Sequence, residues 1–103
     1  MRSIIQTNRH YCYLCGRVRS FVNPLEEHHV YFGPNRKISE KYGLKVYLCK
    51  TRCHNGGPYS VHKNAENCKV LQSEVQQIAM KYYGWSIKDF IRIIGRNYTE
   101  DMP

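Results

Sequence analysis

No apolar run in this sequence approaches the roughly 20 residues needed to span a bilayer, so no membrane-crossing helix is expected. An apolar leader core is missing too. Met1-Arg2-Ser3-Ile4-Ile5 gives way to polar Gln6-Thr7-Asn8-Arg9, which argues against a secretory signal and for a cytoplasmic, reduced protein. Repeats, low-complexity tracts and long linkers are all lacking, and 103 residues leave little room for a second domain, so one unit over 1–103 is expected. Acidic residues are scarce, 8 against 16 Lys and Arg. None falls in residues 1–24, which hold four arginines. Between 36 and 52, Glu40 alone stands against Arg36, Lys37, Lys41, Lys45, Lys50 and Arg52, while the last twenty residues are neutral overall. Positive charge therefore gathers in the first half of the chain and suits a polyanionic partner.

What the sequence does have is cysteine and histidine in close groups. A domain of this size buries only a modest core and calls for a staple. The odd number of cysteines, five, fits poorly with disulfides alone. Cys12-x-x-Cys15-Gly16 has the form of a zinc knuckle, and Cys49-x-x-x-Cys53 supplies a second, looser pair. Four thiolates in two pairs can surround zinc tetrahedrally, so a structural zinc site on Cys12, Cys15, Cys49 and Cys53 is expected. His54 could replace Cys53 in that set. Cys68 lies on an apolar helical stripe and is assigned to core packing.

The element pattern is α+β. Val18–Val22 reads as strand-like, Leu25–Phe32 as a strand carrying His28 and His29, and Leu44–Leu48 as a second strand ending at Cys49. A helical turn over Lys37–Tyr42, closed by Gly43, separates those two strands. Ser60 is the expected N-cap of a long helix whose buried stripe is Cys68, Leu71, Val75, Ile78 and Tyr82, with Gly84 at its end. Ser86 and Asp89 form a capping box for a final helix with Ile87, Phe90, Ile91 and Ile94 along it, and Tyr82–Trp85 is expected to pack onto the core.

Neighbouring side chains on a strand point to opposite faces, so His28 and His29 cannot share one surroundings. One can hold an ion while the other addresses a substrate beside it. His54 and His62, from a loop and a helix start, could converge with His28 on one cation; His10 precedes the knuckle and is set aside.

Taken together, Cys12-Tyr-Leu-Cys15-Gly16, Leu25-Glu-Glu-His-His29-Val30 and Val46-Tyr-Leu-Cys49-Lys-Thr-Arg-Cys53-His54-Asn55 resemble the four-cysteine branch of the HNH endonucleases, the His-Me finger or ββα-metal nucleases. Phe32–Leu44 and Ser60–Asn64 look like the small members coded by bacteriophages and prophages. The resemblance covers residues 12–64 well and the helical part, 65–95, weakly. It implies a small zinc-stabilised ββα-metal domain with additional C-terminal helices, acting in a bacterial host cell as a metal-dependent endonuclease on DNA, double-stranded DNA foremost. In that reading His29 matches the general base, and His28, His54 and His62 the ligands of a catalytic ion. The products would carry 3′-hydroxyl and 5′-phosphate ends.

Two features depart from the family pattern. The second cysteine pair has one residue more than usual. The middle Asn that steadies the base is Leu44 here, leaving Asn35 or Asn55 to substitute. Arg36, Lys37, Lys45 and Arg52 are the expected phosphate contacts. An all-imidazole site favours Zn, Ni or Mn, although phosphate or water oxygens could complete a Mg site. Weak sequence specificity is expected. The competing readings are a non-catalytic zinc-knuckle nucleic-acid binder, and an adaptor that meets other proteins of a phage assembly.

Overall fold

The computed structural model describes residues 1–99. The remaining four residues of the expected single unit lie outside that part. The chain is a mixed α+β protein built on one two-stranded antiparallel sheet, β1 (Leu25–His29) and β2 (Lys45–Cys49). The register pairs Leu25 with Cys49, His28 with Val46 and His29 with Lys45. β1 is shorter than the sequence pattern suggests, and β2 has the expected five residues moved on by one. Beyond His29, Val30 still bonds across to Leu44, but Ser39 takes over Tyr31: its Oγ accepts from the Tyr31 N–H at 3.1 Å and donates to the Tyr31 carbonyl at 2.7 Å. Val18–Val22 forms no strand; its pairing is limited to two isolated bridges, Tyr11 to Val18 and Ser20 to Asn23.

Between the strands, a 3₁₀ turn at Gly33–Asn35 runs into the helix α1 (Arg36–Tyr42). Gly43 closes α1 with φ of 70°, a left-handed conformation that glycine adopts without the steric cost of a Cβ. Space forbids a side chain there as well, since a Cβ would fall 2.5 Å from the Arg2 carbonyl oxygen. The chain then enters β2, and the Val30 N–H donates to the Leu44 carbonyl at 3.0 Å.

After β2 the backbone makes a π-helical turn over Lys50–Asn55. The long helix α2 (Ala65–Tyr83) begins at Asn64, whose side chain accepts from the Asn67 N–H. Ser60 is therefore not the cap. It belongs to the preceding loop, where its N–H donates to the Gly57 carbonyl, and its hydroxyl is buried. The buried face of α2 carries Leu71, Val75 and Ala79 with polar Ser73 and Gln76, whereas Tyr82 is exposed and Cys68 and Ile78 are half-buried. The stripe is rotated because α2 must also receive the segment after the last helix, which binds Gln76. Asn97 Oδ1 accepts from Gln76 Nε2 at 2.8 Å and the Tyr98 N–H donates to Gln76 Oε1 at 2.6 Å.

The last helix, α3 (Ile87–Ile94), opens with the expected capping box between Ser86 and Asp89 and buries Phe90 and Ile94, leaving Ile87 and Ile91 exposed. Tyr83 stacks on Trp85 at 4.5 Å between centroids, with Tyr42 edge-on to both. The core is thus one cluster joining the sheet (Val46, Leu48), the strand exits (Val30, Tyr31, Leu44), α2 and α3. No helix among the described residues is long and apolar enough to cross a membrane.

Candidate metal centres and the histidine cleft

Four sulfurs meet where the knuckle packs against the end of β2. The Gly16 N–H donates to the Cys12 carbonyl at 2.9 Å, closing the turn that brings Cys12 and Cys15 together. Cys49 ends β2, and the π-helical turn carries the chain round to Cys53. This turn has room for the extra residue between the second cysteines, because a π turn is an α turn widened by one. Gly56 and Gly57 let it close, since a Cβ on Gly57 would lie 2.6 Å from the Arg52 carbonyl oxygen.

The sulfurs of Cys12, Cys15, Cys49 and Cys53 all lie within 4.8 Å of one another. Cys15 and Cys49 are 3.5 Å apart, far beyond the ~2.05 Å of a disulfide. Burial alone would raise Cys12, but hydrogen bonds from the backbone of Cys15, Cys49 and Leu14 outweigh it and hold the thiol down to about 7. Burial pushes Cys53 and Cys49 up, and the neighbouring sulfurs push further in the same direction. A set in which one thiol ionises readily and its neighbours resist a second negative charge suits a divalent cation that neutralises them together. The four-cysteine set is a candidate zinc site, and it includes Cys53 rather than His54.

The second group is imidazole. His28 extends from the interior face of β1 and is 2% exposed. His54 comes from the π-helical turn and His62 from the loop before α2, where its N–H donates to the His54 carbonyl at 3.3 Å. Ring centroids are 5.0 Å (His28–His54), 5.1 Å (His28–His62) and 4.8 Å (His54–His62). The Nε2 atoms of His54 and His62 face each other at 3.1 Å. Two nitrogens about 2.0–2.1 Å from one tetrahedral zinc stand about 3.3 Å apart, so the pair has the spacing of ligands on a common ion.

His28 Nε2 is buried with no hydrogen-bond partner among the described residues. A buried ring nitrogen without a partner costs free energy, and a cation at the centre of the three rings would satisfy it. Glu26 Oε1 lies 3.2 Å from His54 Nδ1. With Nδ1–H donating to that carboxylate, the Nε2 lone pair points at the centre, as in carboxylate–histidine–metal arrangements. Burial, then the charges of His54, His62 and His29, bring His28 down to about 3, and burial with His54 lowers His62. The neutral imidazole that ligation requires is the favoured form.

His29 lies on the opposite face of β1. Its Nε2 is 3.1 Å from Glu40 Oε1 and 3.6 Å from Glu27 Oε1. Lys45 Nζ bridges both acids, at 2.7 Å from Glu40 Oε2 and 3.2 Å from Glu27 Oε1. Glu40 is held down to about 2 by hydrogen bonds from Lys45, the chain's amino group and His29. Glu27, His29 and Glu40 are grouped closely enough to hold an ion, but the Lys45 ammonium already supplies the positive charge there. Despite opposite strand faces, His28 and His29 both line one cleft of about 170 Å³ with Glu27, Phe32, Arg36, His54 and His62, because they end the strand.

Some expected residues take other places. Lys45 is 5% exposed and committed to Glu27 and Glu40, so its assignment as a phosphate contact is corrected. Among the described residues neither Asn35 nor Asn55 bonds to His29: Asn35 sits at the start of α1, and Asn55 Nδ2 lies 3.3 Å from His54 Nδ1. The side chain that does bond to His29 is Glu40, which the sequence reading passed over. Its signal was its position as the only acid between residues 36 and 52. Arg36 lines the histidine cleft and Lys37 is exposed beside it. Arg52 is exposed but faces the knuckle instead. His10 is exposed and belongs to neither cluster. No family model, curated protein or solved structure matches the chain.

Proposed function

We propose that the protein is an HNH-type (ββα-metal) endonuclease that hydrolyses DNA phosphodiester bonds in the cleft lined by His28, His29, His54 and His62. One observation carries the reading: three imidazoles converge around the unpartnered, buried Nε2 of His28, and a fourth histidine that is not part of that triad lines the same cleft. Two antiparallel strands, joined through α1 and each contributing to a Cys or His group, also support this reading. α2 follows the second strand in chain order, which is consistent with that motif, although His54 and His62 precede it.

The chain's residues divide the chemistry. Glu40 accepts from Nε2–H of neutral His29, which fixes the tautomer with its lone pair on Nδ1. That nitrogen takes the proton from the attacking water. Lys45 keeps Glu40 ionised and oriented and so holds the ring in place. His28, His54 and His62 would hold a divalent ion, which supplies Lewis-acid stabilisation of the scissile phosphate and of the leaving 3′ oxygen. Arg36, on the cleft wall, grips a phosphate there, with Lys37 next to it.

The test is nicking of supercoiled plasmid by zinc-loaded protein with Mg, Mn, Ni or Zn added. We expect open circles with at least one of these ions, and loss of at least about 100-fold in rate for His29→Ala, the scale of a missing general base. Equal nicking by the variant would remove His29 from the mechanism. No nicking with any of the ions, together with retained DNA binding, would instead favour the non-catalytic binding module.

A further inference from the structure

The most exposed large apolar side chains among the described residues lie outside the core cluster, together at one turn. Phe21 is 101% exposed and Val22 89%. They are the two central residues of a tight turn in which Ser20 and Asn23 exchange backbone hydrogen bonds, each 3.1 Å. Asn23 Nδ2 also donates to the Val18 carbonyl at 3.3 Å, and the Asn23 N–H to Ser20 Oγ at 3.1 Å. The turn is braced from below, where the Arg19 guanidinium donates to the Arg9 carbonyl at 3.1 Å and the Arg19 N–H to the His10 carbonyl. A turn tied this firmly that points a phenyl ring into water is not a fold requirement. Burying Phe21 elsewhere would stabilise the chain, and two adjacent apolar side chains held out on a braced turn have the form of a contact surface.

The surroundings specify the partner's charge. A cleft beneath the tip is lined by Arg17, Val18, Ser20, Val22, Asn23 and Arg52. Lys50 is tied in alongside, its N–H donating to the Pro24 carbonyl at 3.0 Å. Arg17, Lys50 and Arg52 are all exposed, and no acid occurs before Glu26. An apolar tip set among cations complements a polymer with charged phosphates outside and flat apolar rings within. We propose that this turn is a second DNA contact, in which Phe21 and Val22 wedge against base faces while Arg17, Lys50 and Arg52 hold the adjacent phosphates. The surface is separate from the histidine cleft, and the idea rests on the reading of DNA as the substrate. It gives this small chain a grip on distorted or unstacked DNA rather than on a base sequence.

The experiment uses the zinc-loaded full chain and a DNA duplex carrying fluorescein at one end and 2-aminopurine at its centre, without added catalytic metal. Anisotropy reads affinity, and 2-aminopurine emission reads unstacking. For Phe21→Ala/Val22→Ser we expect an unchanged melting temperature, dissociation constants raised at least about five-fold, and loss of the emission increase seen with the parent protein. The salt dependence of binding should keep its slope in that variant and become shallower in Arg17→Ala/Arg52→Ala, because only the arginines release counterions. Equal binding and equal emission by parent and tip variant would overturn the wedge while leaving the nuclease reading intact. A parent protein that neither binds nor nicks DNA would overturn both, and the turn would then belong to a protein partner.

Discussion

At the scale of the residue, His28 is held neutral by burial and three neighbouring imidazoles, far below its ordinary value of 6.5 and at about 3. The sign of the consequence follows. In metal-free protein the folded state resists protonation that the unfolded chain accepts. Stability from this group is therefore fully present above about pH 6.5 and is lost as pH falls toward about 3. We predict that His28→Leu flattens the loss of stability across that window, by an amount on the order of a few kcal/mol at most, as read by denaturant titration at a series of pH values. Equal acid sensitivity in parent and variant would contradict the environment assigned to His28. Glu40 acts in a lower window. Its carboxyl is depressed from 4.5 to about 2, so its contribution is present above about 4.5 and disappears as pH drops through 2. Its side chain is 41% exposed, so water screens the effect, and Glu40→Gln should cost about 1 kcal/mol or less at neutral pH in a denaturant titration. These two roles were unequally legible. Strand alternation alone separates His28 from His29. The bond from Glu40 to His29 joins residues eleven apart through the packing of α1 on the sheet, and no periodicity encodes that.

At the scale of the element, the positions of the two strands, the helix stop at Gly43 and the Ser86–Asp89 cap could be read from local pattern, because each is specified by residues close together in the sequence. The buried face of α2 could not, since it depends on what arrives from elsewhere. Gln76 is fully buried and binds both Asn97 and Tyr98, and Tyr98 lies against Tyr31 at 4.9 Å. A polar residue in a core position reads as a mismatch until its partners are known. We predict that Gln76→Ala leaves those groups unsatisfied and costs about 2–3 kcal/mol. Leu71→Ala, which opens a cavity beside the same helix, should cost about 2–5 kcal/mol. Chemical denaturation of both variants checks the pair, and a Gln76→Ala protein as stable as the parent would show that the segment after α3 does not dock as described. The π-helical turn was also hidden in the sequence. The three-residue spacing between Cys49 and Cys53 looked loose, yet it is the length that places Cys53 among the sulfurs and His54 among the rings.

At the scale of the whole molecule, two clusters of soft and borderline ligands stand at opposite sides of a small sheet, one thiolate and one imidazole. The first ties the N-terminal knuckle to the end of β2 and the π-helical turn, and the second ties β1 to the loop before α2. A chain with so modest a core would gain folding free energy directly from a zinc ion held by the four cysteines. We predict that a strong chelator, or Cys12→Ser, lowers the melting temperature by at least about 10 °C, while His54→Ala changes it much less, since the imidazole cluster closes no long unsupported loop. The composition announced both groups, but not that His54 would leave the cysteines for the other side.

The most direct test is calorimetric binding of Zn or Mn at neutral pH to protein whose four-cysteine site is already filled with zinc. One further ion per chain is expected, with its affinity lowered at least about 100-fold in His62→Ala and in His54→Ala while the first zinc stays bound. Saturation at a single ion, or a second ion indifferent to both substitutions, would contradict an imidazole metal centre and with it the proposed hydrolysis.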